Sequence, residues 1–430
     1  MVKMKRLTGT VKEISEVLAA DYAAYSQAQN DVDDIVSAII SNVRANGDSA
    51  LGEYAQKFDG MIPELLEVSR ETIARAFDEI DPAVLTALEH AKANIESYHK
   101  HQVEKGFVDT ETDGVVRGQL ILPIEKVGVY VPGGTAAYPS SVLMNVLPAK
   151  IAGVPEIYMV TPPQANFNPA ILVAADLSGV TKIYQVGGAQ AIAALAYGTQ
   201  TIPKVDKITG PGNVFVATAK KQVFGQVGID MIAGPSEIGV IADGSAKASY
   251  VAADLLSQAE HDKLARAILV TNSVALADAV DLALSEQLER LPRKAIAQES
   301  IVKNGRTIVT DTIDDMFALM NDIAPEHLEI AMDNAIEYLP KVKHAGSIFL
   351  GHFTSEPIGD YYAGTNHVLP TSGTSRFYSA LGVYDFVKRS QFTYYSQDAV
   401  AKASKDITTL AYSEGLEGHE RAIEIRDEQA

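Results

Sequence analysis

The rhythm of apolar positions changes twice along the chain. Up to residue 125 it is helical: Ile35, Ile39 and Val43 recur every four residues, and Leu85, Leu88 and Ile95 continue the spacing. The pattern predicts that 1–125 is helical, each helix packing by one apolar face. From Ile124 short β-branched runs alternate with helical segments. Val127–Val131, Ile157–Val160 and Ile183–Val186 read as strands, with helices Ser141–Ala152, Asn168–Leu177 and Ala189–Tyr197 between them. A second set follows, with strand Ile238–Ile241, helix Ala248–Glu260, and strands Ala267–Val270 and Ser347–Leu350. Strand–helix alternation across short glycine-bearing turns predicts an α/β protein of two doubly wound, Rossmann-like units with parallel sheets. Helical N- and C-terminal segments flank them. The tail reads as helices Ala399–Leu410 and Leu416–Arg426, interrupted at Gly415 and Gly418. It is too small to hold a core alone, so it is expected to dock elsewhere, as on another subunit.

Composition narrows the function. A chain of 430 residues exceeds one ordinary core. No apolar run approaches the roughly 18 residues that span a bilayer. Met1-Val2-Lys3-Met4-Lys5-Arg6 is basic without a following apolar signal region, so cytoplasmic residence and no membrane partner are expected. The 36 basic and 55 acidic residues give a net charge of −19 with no basic cluster, which argues against nucleic-acid binding. Cysteine is absent, so disulfides, thiolate metal sites and a cysteine nucleophile are excluded.

Four glycine-bearing turns each follow an expected strand: Pro132-Gly133-Gly134-Thr135, Gly187-Gly188-Ala189-Gln190, Gly210-Pro211-Gly212-Asn213 and Gly234-Pro235-Ser236-Glu237. Ligands of open parallel sheets bind at the carboxyl ends of strands, where glycine admits a phosphate. Tyr130, Gln190 and Asn213 stand at these edges as candidate dinucleotide contacts. Glycine also serves any tight turn, and no Gly-x-Gly-x-x-Gly fingerprint opens a helix.

Gln258 and His261 lie three apart, on one face if the helix continues, a usual spacing for two metal ligands. A His near a helix end also serves simply as a partner of the helix dipole. Glu326 and His327 follow Pro325, which suits a first helical position. The pair is therefore expected in a first helical turn, as carboxylate and neutral imidazole ready for proton abstraction. An incidental His at an exposed helix start is the alternative. Asp360, His367, Glu414 and His419 complete the set. Gln, His and Asp are oxygen and nitrogen donors that suit Zn²⁺ or Mn²⁺, but their wide separation keeps spacing alone from joining them.

The stretch Ile229-Asp230-Met231-Ile232-Ala233-Gly234-Pro235-Ser236-Glu237, running on to Leu255-Leu256-Ser257-Gln258-Ala259-Glu260-His261, resembles the histidinol dehydrogenase signature. Val129–Gly153, Gly187–Asn213, Pro325–Leu328, Gly359–Pro370 and Gly415–His419 resemble the family's other blocks in the same order. The resemblance spans essentially the whole chain. It implies NAD-dependent, four-electron oxidation of L-histidinol through L-histidinal to L-histidine. It implies one zinc per subunit on Gln258, His261, Asp360 and His419, and NAD contacts from Tyr130, Gln190 and Asn213. Substrate contacts would come from Ser236, Gln258, His261, His327, Asp360, His367, Glu414 and His419, and proton transfer from Glu326 and His327. It further implies a homodimer whose tail completes the neighbour's site. The expected division is an arm (1–25), a larger α/β domain (26–128 and 238–378) carrying metal and proton-transfer residues, a second α/β domain (129–237) with the NAD contacts, and a tail (379–430). Gly239 departs from the pattern, where a larger aliphatic residue is favoured, and weaker strand packing is expected there. The rival readings are a paralogous dehydrogenase of another small polar alcohol, a zinc hydrolase with Glu326 activating water, and a non-catalytic nucleotide-binding protein.

Overall fold

A computed structural model describes residues 2–27, 32–133 and 138–427. Two parallel sheets carry the fold. The six-stranded sheet has the order β1 (Lys5–Thr8), β11 (Arg306–Val309), β10 (Arg266–Thr271), β9 (Glu237–Ala242), β12 (His327–Ala331) and β13 (Ser347–Leu350). The five-stranded sheet runs β6 (Lys182–Gln185), β5 (Glu156–Thr161), β4 (Lys126–Tyr130), β7 (Lys207–Thr209) and β8 (Gly228–Ile229). Helices cover both, so the central strands are apolar on both faces, and β9 and β5 are buried almost throughout. The third sheet is antiparallel: β14 (Val387–Tyr395), β3 (Val115–Pro123) and β2 (Phe107–Asp109).

The expectation of helix throughout 1–125 is corrected at β1, β2 and β3. Leu120 and Leu122 of β3 stay largely exposed, and the strand exists because it pairs along its whole length with β14, far along the chain. Local spacing does not encode that partner. The first helical stripe also shifts. Ile35 is half exposed, and Val36, Ile39, Ile40 and Val43 form the buried face.

The helices of 26–128, a segment expected to group with 238–378, have these packing partners. Asp33–Asn46 packs on helix Gly188–Tyr197, Arg70–Glu79 on Pro169–Ser178, and Pro82–His99 on Pro139–Ala152, all on the five-stranded side. Residues 5–8, expected in a helical arm, instead extend the six-stranded sheet through β1.

Gly239 at the middle of β9 corrects the expectation of weak packing. A Cβ there would fall 2.4 Å from Met320 Sδ and 3.1 Å from Pro325 Cγ. Its bareness lets helix Ile313–Ile323 and the segment leading to Glu326 sit against the sheet.

The tail forms helices Gln397–Ser413 and Glu417–Asp427. Gly415 turns the chain between them at φ 69°, as expected, whereas Gly418 lies inside the second helix and interrupts nothing. That second helix buries no residue and packs on the first. No helix of the described residues is long and apolar enough to cross a membrane.

Candidate active site

Glu326 and His327 stand at the amino end of a strand. The expected first helical turn is thereby corrected: Pro325 leads into β12, whose register sets His327 beside Ile238 of β9. Both side chains are buried. Glu326 Oε2 accepts the backbone N–H of Glu237 at 2.8 Å, and His327 Nδ1 lies 3.1 Å from the Glu237 carbonyl. A carbonyl only accepts, so Nδ1 carries a proton and Nε2 is the nitrogen left for chemistry. Nε2 has no hydrogen-bond partner.

Electrostatics oppose the expected neutral pair. Burial disfavours a charged His327, but the Glu326 and Asp360 carboxylates outweigh it and push the imidazole up to about 10. Burial raises Glu326 and the pull of His327 offsets it only in part, leaving the carboxyl at about 7. Asp360 is driven upward by burial, yet its histidine neighbours and a hydrogen bond from Glu356 hold it down to about 2. A cation held at Asp360 acts against the charge on His327, so metal binding and imidazole protonation are linked.

Gln258 lies in helix Ala248–Ala259, 1% exposed, with Oε1 lacking any partner. A buried amide oxygen without a donor is costly and fits a metal ligand. The helix stops short of His261, which sits in the following turn with its N–H bonded back to Gln258 O at 3.2 Å. His261 and Asp360 line one cavity of about 580 Å³, with Glu260 and Arg293 beside them and apolar walls from helices Pro82–His99 and Pro139–Ala152.

Glu356 is a residue that sequence reasoning missed. Ligand atoms of His327, Glu356 and Asp360 lie within 4.8 Å of one another, sharing only Asp360 with the expected ligand set. Burial and the Asp360 charge raise Glu356 to about 8. Its carboxyl group accepts from Ser257 Oγ at 3.3 Å beside Asp360. Its signal in the sequence, an acid at the start of a six-residue helix, is indistinguishable from ordinary N-terminal helix charge.

His367 bridges the two sheets' territories. Its Nε2 is 3.2 Å from Ser141 Oγ and its Nδ1 3.1 Å from the Asp360 carbonyl, so both ring nitrogens already have protein partners. Ser236 precedes Glu237, and its carbonyl accepts the Arg266 N–H at 3.0 Å. Glu414 and His419 are exposed on the tail, and the helix carrying His419 packs only on its tail neighbour to any extent. The single chain does not bring these two to the site.

Three of the four glycine turns follow the carboxyl ends of β4, β6 and β7, as expected, although Gly134 and Thr135 lie outside the described residues. The fourth is corrected: Gly234-Pro235-Ser236-Glu237 enters the amino end of β9. Tyr130 ends β4, and its hydroxyl accepts the Gly188 N–H at 3.2 Å. Gln190 is buried in the helix opening at Gly188. Asn213 caps helix Val214–Val223, its Oδ1 accepting from Phe215 and Val216, which leaves its exposed amide NH₂ for a ligand. The Gly210 turn is gripped from beneath. Asp230 Oδ2 accepts the Gly210 N–H at 2.8 Å, and Lys220 Nζ donates to the Gly210 carbonyl at 3.0 Å. Lys220 and Asp230 themselves form a buried ion pair.

The histidinol dehydrogenase family model matches residues 23–427. A histidinol dehydrogenase from Streptococcus mutans is 68% identical over 426 residues, covering 99% of this chain and 100% of that protein. Another from Listeria innocua is 58% identical over 427 residues, with the same coverage. The crystal structure of histidinol dehydrogenase from Elizabethkingia anophelis aligns at TM-score 0.92 and 37% identity, covering 100% of this chain and 99% of that one. The chain belongs to the histidinol dehydrogenase family of oxidoreductases.

Proposed function

We propose that this chain oxidises L-histidinol through L-histidinal to L-histidine with NAD⁺, as a zinc-containing, cytoplasmic homodimer of histidine biosynthesis. The observation that carries the site assignment is the buried Glu326–His327 pair, with His327 Nε2 unpartnered and facing Asp360. Family membership sets aside the hydrolase and non-catalytic readings.

Gln258, His261 and Asp360 would hold the zinc from one chain, and His419 from the partner subunit. The unpartnered Gln258 Oε1 and the low-lying Asp360 carboxylate support this donor set. Zinc bound there would supply a fixed positive charge for the substrate's imidazole and amine, and NAD⁺ would supply the hydride acceptor. With a zinc charge at Asp360 offsetting the carboxylates that otherwise keep the imidazole charged, His327 would be neutral and would accept the alcohol proton at Nε2 while the Glu237 carbonyl holds its Nδ1–H. Cysteine is absent, so the aldehyde is not oxidised through a thiohemiacetal. Water adds instead, and Glu326 is the base that takes its proton. Tyr130, Gln190 and Asn213 would contact NAD at the carboxyl ends of the five-stranded sheet. Ser236, His367 and the partner's Glu414 would complete the substrate pocket, with His367 placed by Ser141 and Asp360.

A tail helix with no buried residue supports the crossed-tail dimer, since such a helix gains its stability by packing on something else. The test is product identification with L-histidinol and NAD⁺. Formation of L-histidine is the expected result, and turnover of another polar alcohol in its place would favour a paralogous activity.

A further inference from the structure

Glu237 opens β9 between two flanking strands. On one side its register partner is Arg266 of β10; on the other, β12 brings up Glu326 and His327. The Glu237 side chain is 3% exposed and held at both oxygens. Arg266 Nη1 donates to Oε1 at 3.1 Å, and the Ser372 amide donates to Oε2 at 3.0 Å. Its peptide N–H donates to Glu326 Oε2, and its carbonyl accepts from His327 Nδ1. One residue thus has its side chain clamped while its peptide groups hold both proton-transfer residues.

Stability alone does not call for this arrangement. A buried ion pair is commonly replaceable by apolar residues with little loss, because desolvation consumes most of its attraction. The remainder of β9, Ile238-Gly239-Val240-Ile241-Ala242, is apolar and buried, so a carboxylate at its head is the exception in its own strand.

We propose that Glu237 is a positioning residue: clamped by Arg266 and the Ser372 amide, it fixes the peptide groups that set the His327 tautomer and aim the Glu326 carboxylate. The proposal rests on the reading of Glu326 and His327 as the proton-transfer pair. Loss of the clamp frees the first peptide of β9 to shift, and His327 then samples the tautomer with hydrogen on Nε2, which cannot accept a proton from substrate.

The test uses the full-length, zinc-loaded enzyme with Arg266→Met, Arg266→Lys and the double variant Glu237→Gln/Arg266→Met. Each is measured for kcat, KM for L-histidinol, melting temperature and the ¹⁵N signals of His327 in histidine-labelled protein. Arg266→Met is expected to lower kcat by roughly 10²-fold, the loss that a displacement of about 1 Å produces, with KM little changed. Its His327 signals should move from one tautomer to an average of two. The double variant removes both buried charges and so relieves the unpaired carboxylate, but it restores no Arg266 clamp. Its melting temperature should recover while kcat and the tautomer average stay at the Arg266→Met level. Should Arg266→Met fail to fold, Arg266→Lys, which keeps the charge without the guanidinium fork, carries the same comparison. Wild-type kcat and unchanged His327 signals in the Arg266 variants would overturn the proposal. So would a double variant that regains kcat along with its melting temperature, since the loss would then trace to the unpaired charge rather than to the clamp. His327→Ala, run alongside, separates the two levels: if it keeps wild-type kcat, the proton-transfer reading has failed first.

Discussion

His327 Nε2 lies 3.7 Å from Asp360 Oδ1, close enough for strong attraction but too far for a hydrogen bond. Nδ1 is taken by the Glu237 carbonyl, so the unshared nitrogen points at the carboxylate assigned to metal. Glu326 shares the Glu237 peptide but not this gap. The two residues should therefore fail differently when changed. His327→Ala should impair both oxidations, and Glu326→Gln should slow the aldehyde step far more than the alcohol step. A lost general base costs roughly 10²–10⁴-fold. Supplying L-histidinal to each variant under single-turnover conditions isolates the second step. Oxidation of that aldehyde at the wild-type rate by Glu326→Gln would remove Glu326 as its base.

Metal binding tests the buried amide. Gln258→Ala takes away the unpartnered Oε1, while the turn bond from His261 to the Gln258 carbonyl, a backbone contact, persists. Both Gln258→Ala and His261→Ala are expected to purify folded, with zinc depleted by elemental analysis and activity lost with it. A full equivalent of zinc in Gln258→Ala would exclude Gln258 from the ligand set.

Lys220 and Asp230 are buried together, with side chains 3% and 1% exposed. Lys220→Met leaves the Asp230 carboxylate without its partner, a loss of about 3–5 kcal/mol for a broken buried pair, and releases the Gly210 carbonyl. A lower melting temperature and a raised KM for NAD⁺, with KM for L-histidinol little altered, are expected. Equal effects on both KM values would show that the Gly210 turn does not serve the dinucleotide.

The parallel core was legible because its strands are buried on both faces and read as short apolar runs, as at Val127–Val131 and Ile238–Ile241. β12 escaped notice for a local reason: Pro325 before an acid imitates a helix start, and the pairing with β9 decides otherwise. β3 and β14 escaped because each depends on the other across most of the chain. In the candidate site, Gln258, His261, Glu326, His327 and Asp360 stood out by donor chemistry, and the family resemblance, not their spacing, joined them. Glu237, Arg266 and Glu356 did not stand out, since their roles come from strand register and burial rather than from residue type.

Glu414 and His419 are exposed in the single chain, and the crossed-tail reading assigns them to the neighbouring site. Mixing inactive His261→Ala with inactive Glu414→Ala subunits should then regenerate activity, because one site of a mixed dimer receives an intact copy of each residue. No recovery after demonstrated subunit exchange would place Glu414 in its own subunit's site or outside any site.

The central claim is that one buried pair, Glu326 and His327, serves two successive oxidations of the same substrate. Its most direct measurement is the yield of NADH per L-histidinol consumed, with the carbon product identified. Two NADH per L-histidinol, L-histidine as product and no accumulation of free aldehyde are the results expected. One NADH per L-histidinol, with L-histidinal released, would contradict the account.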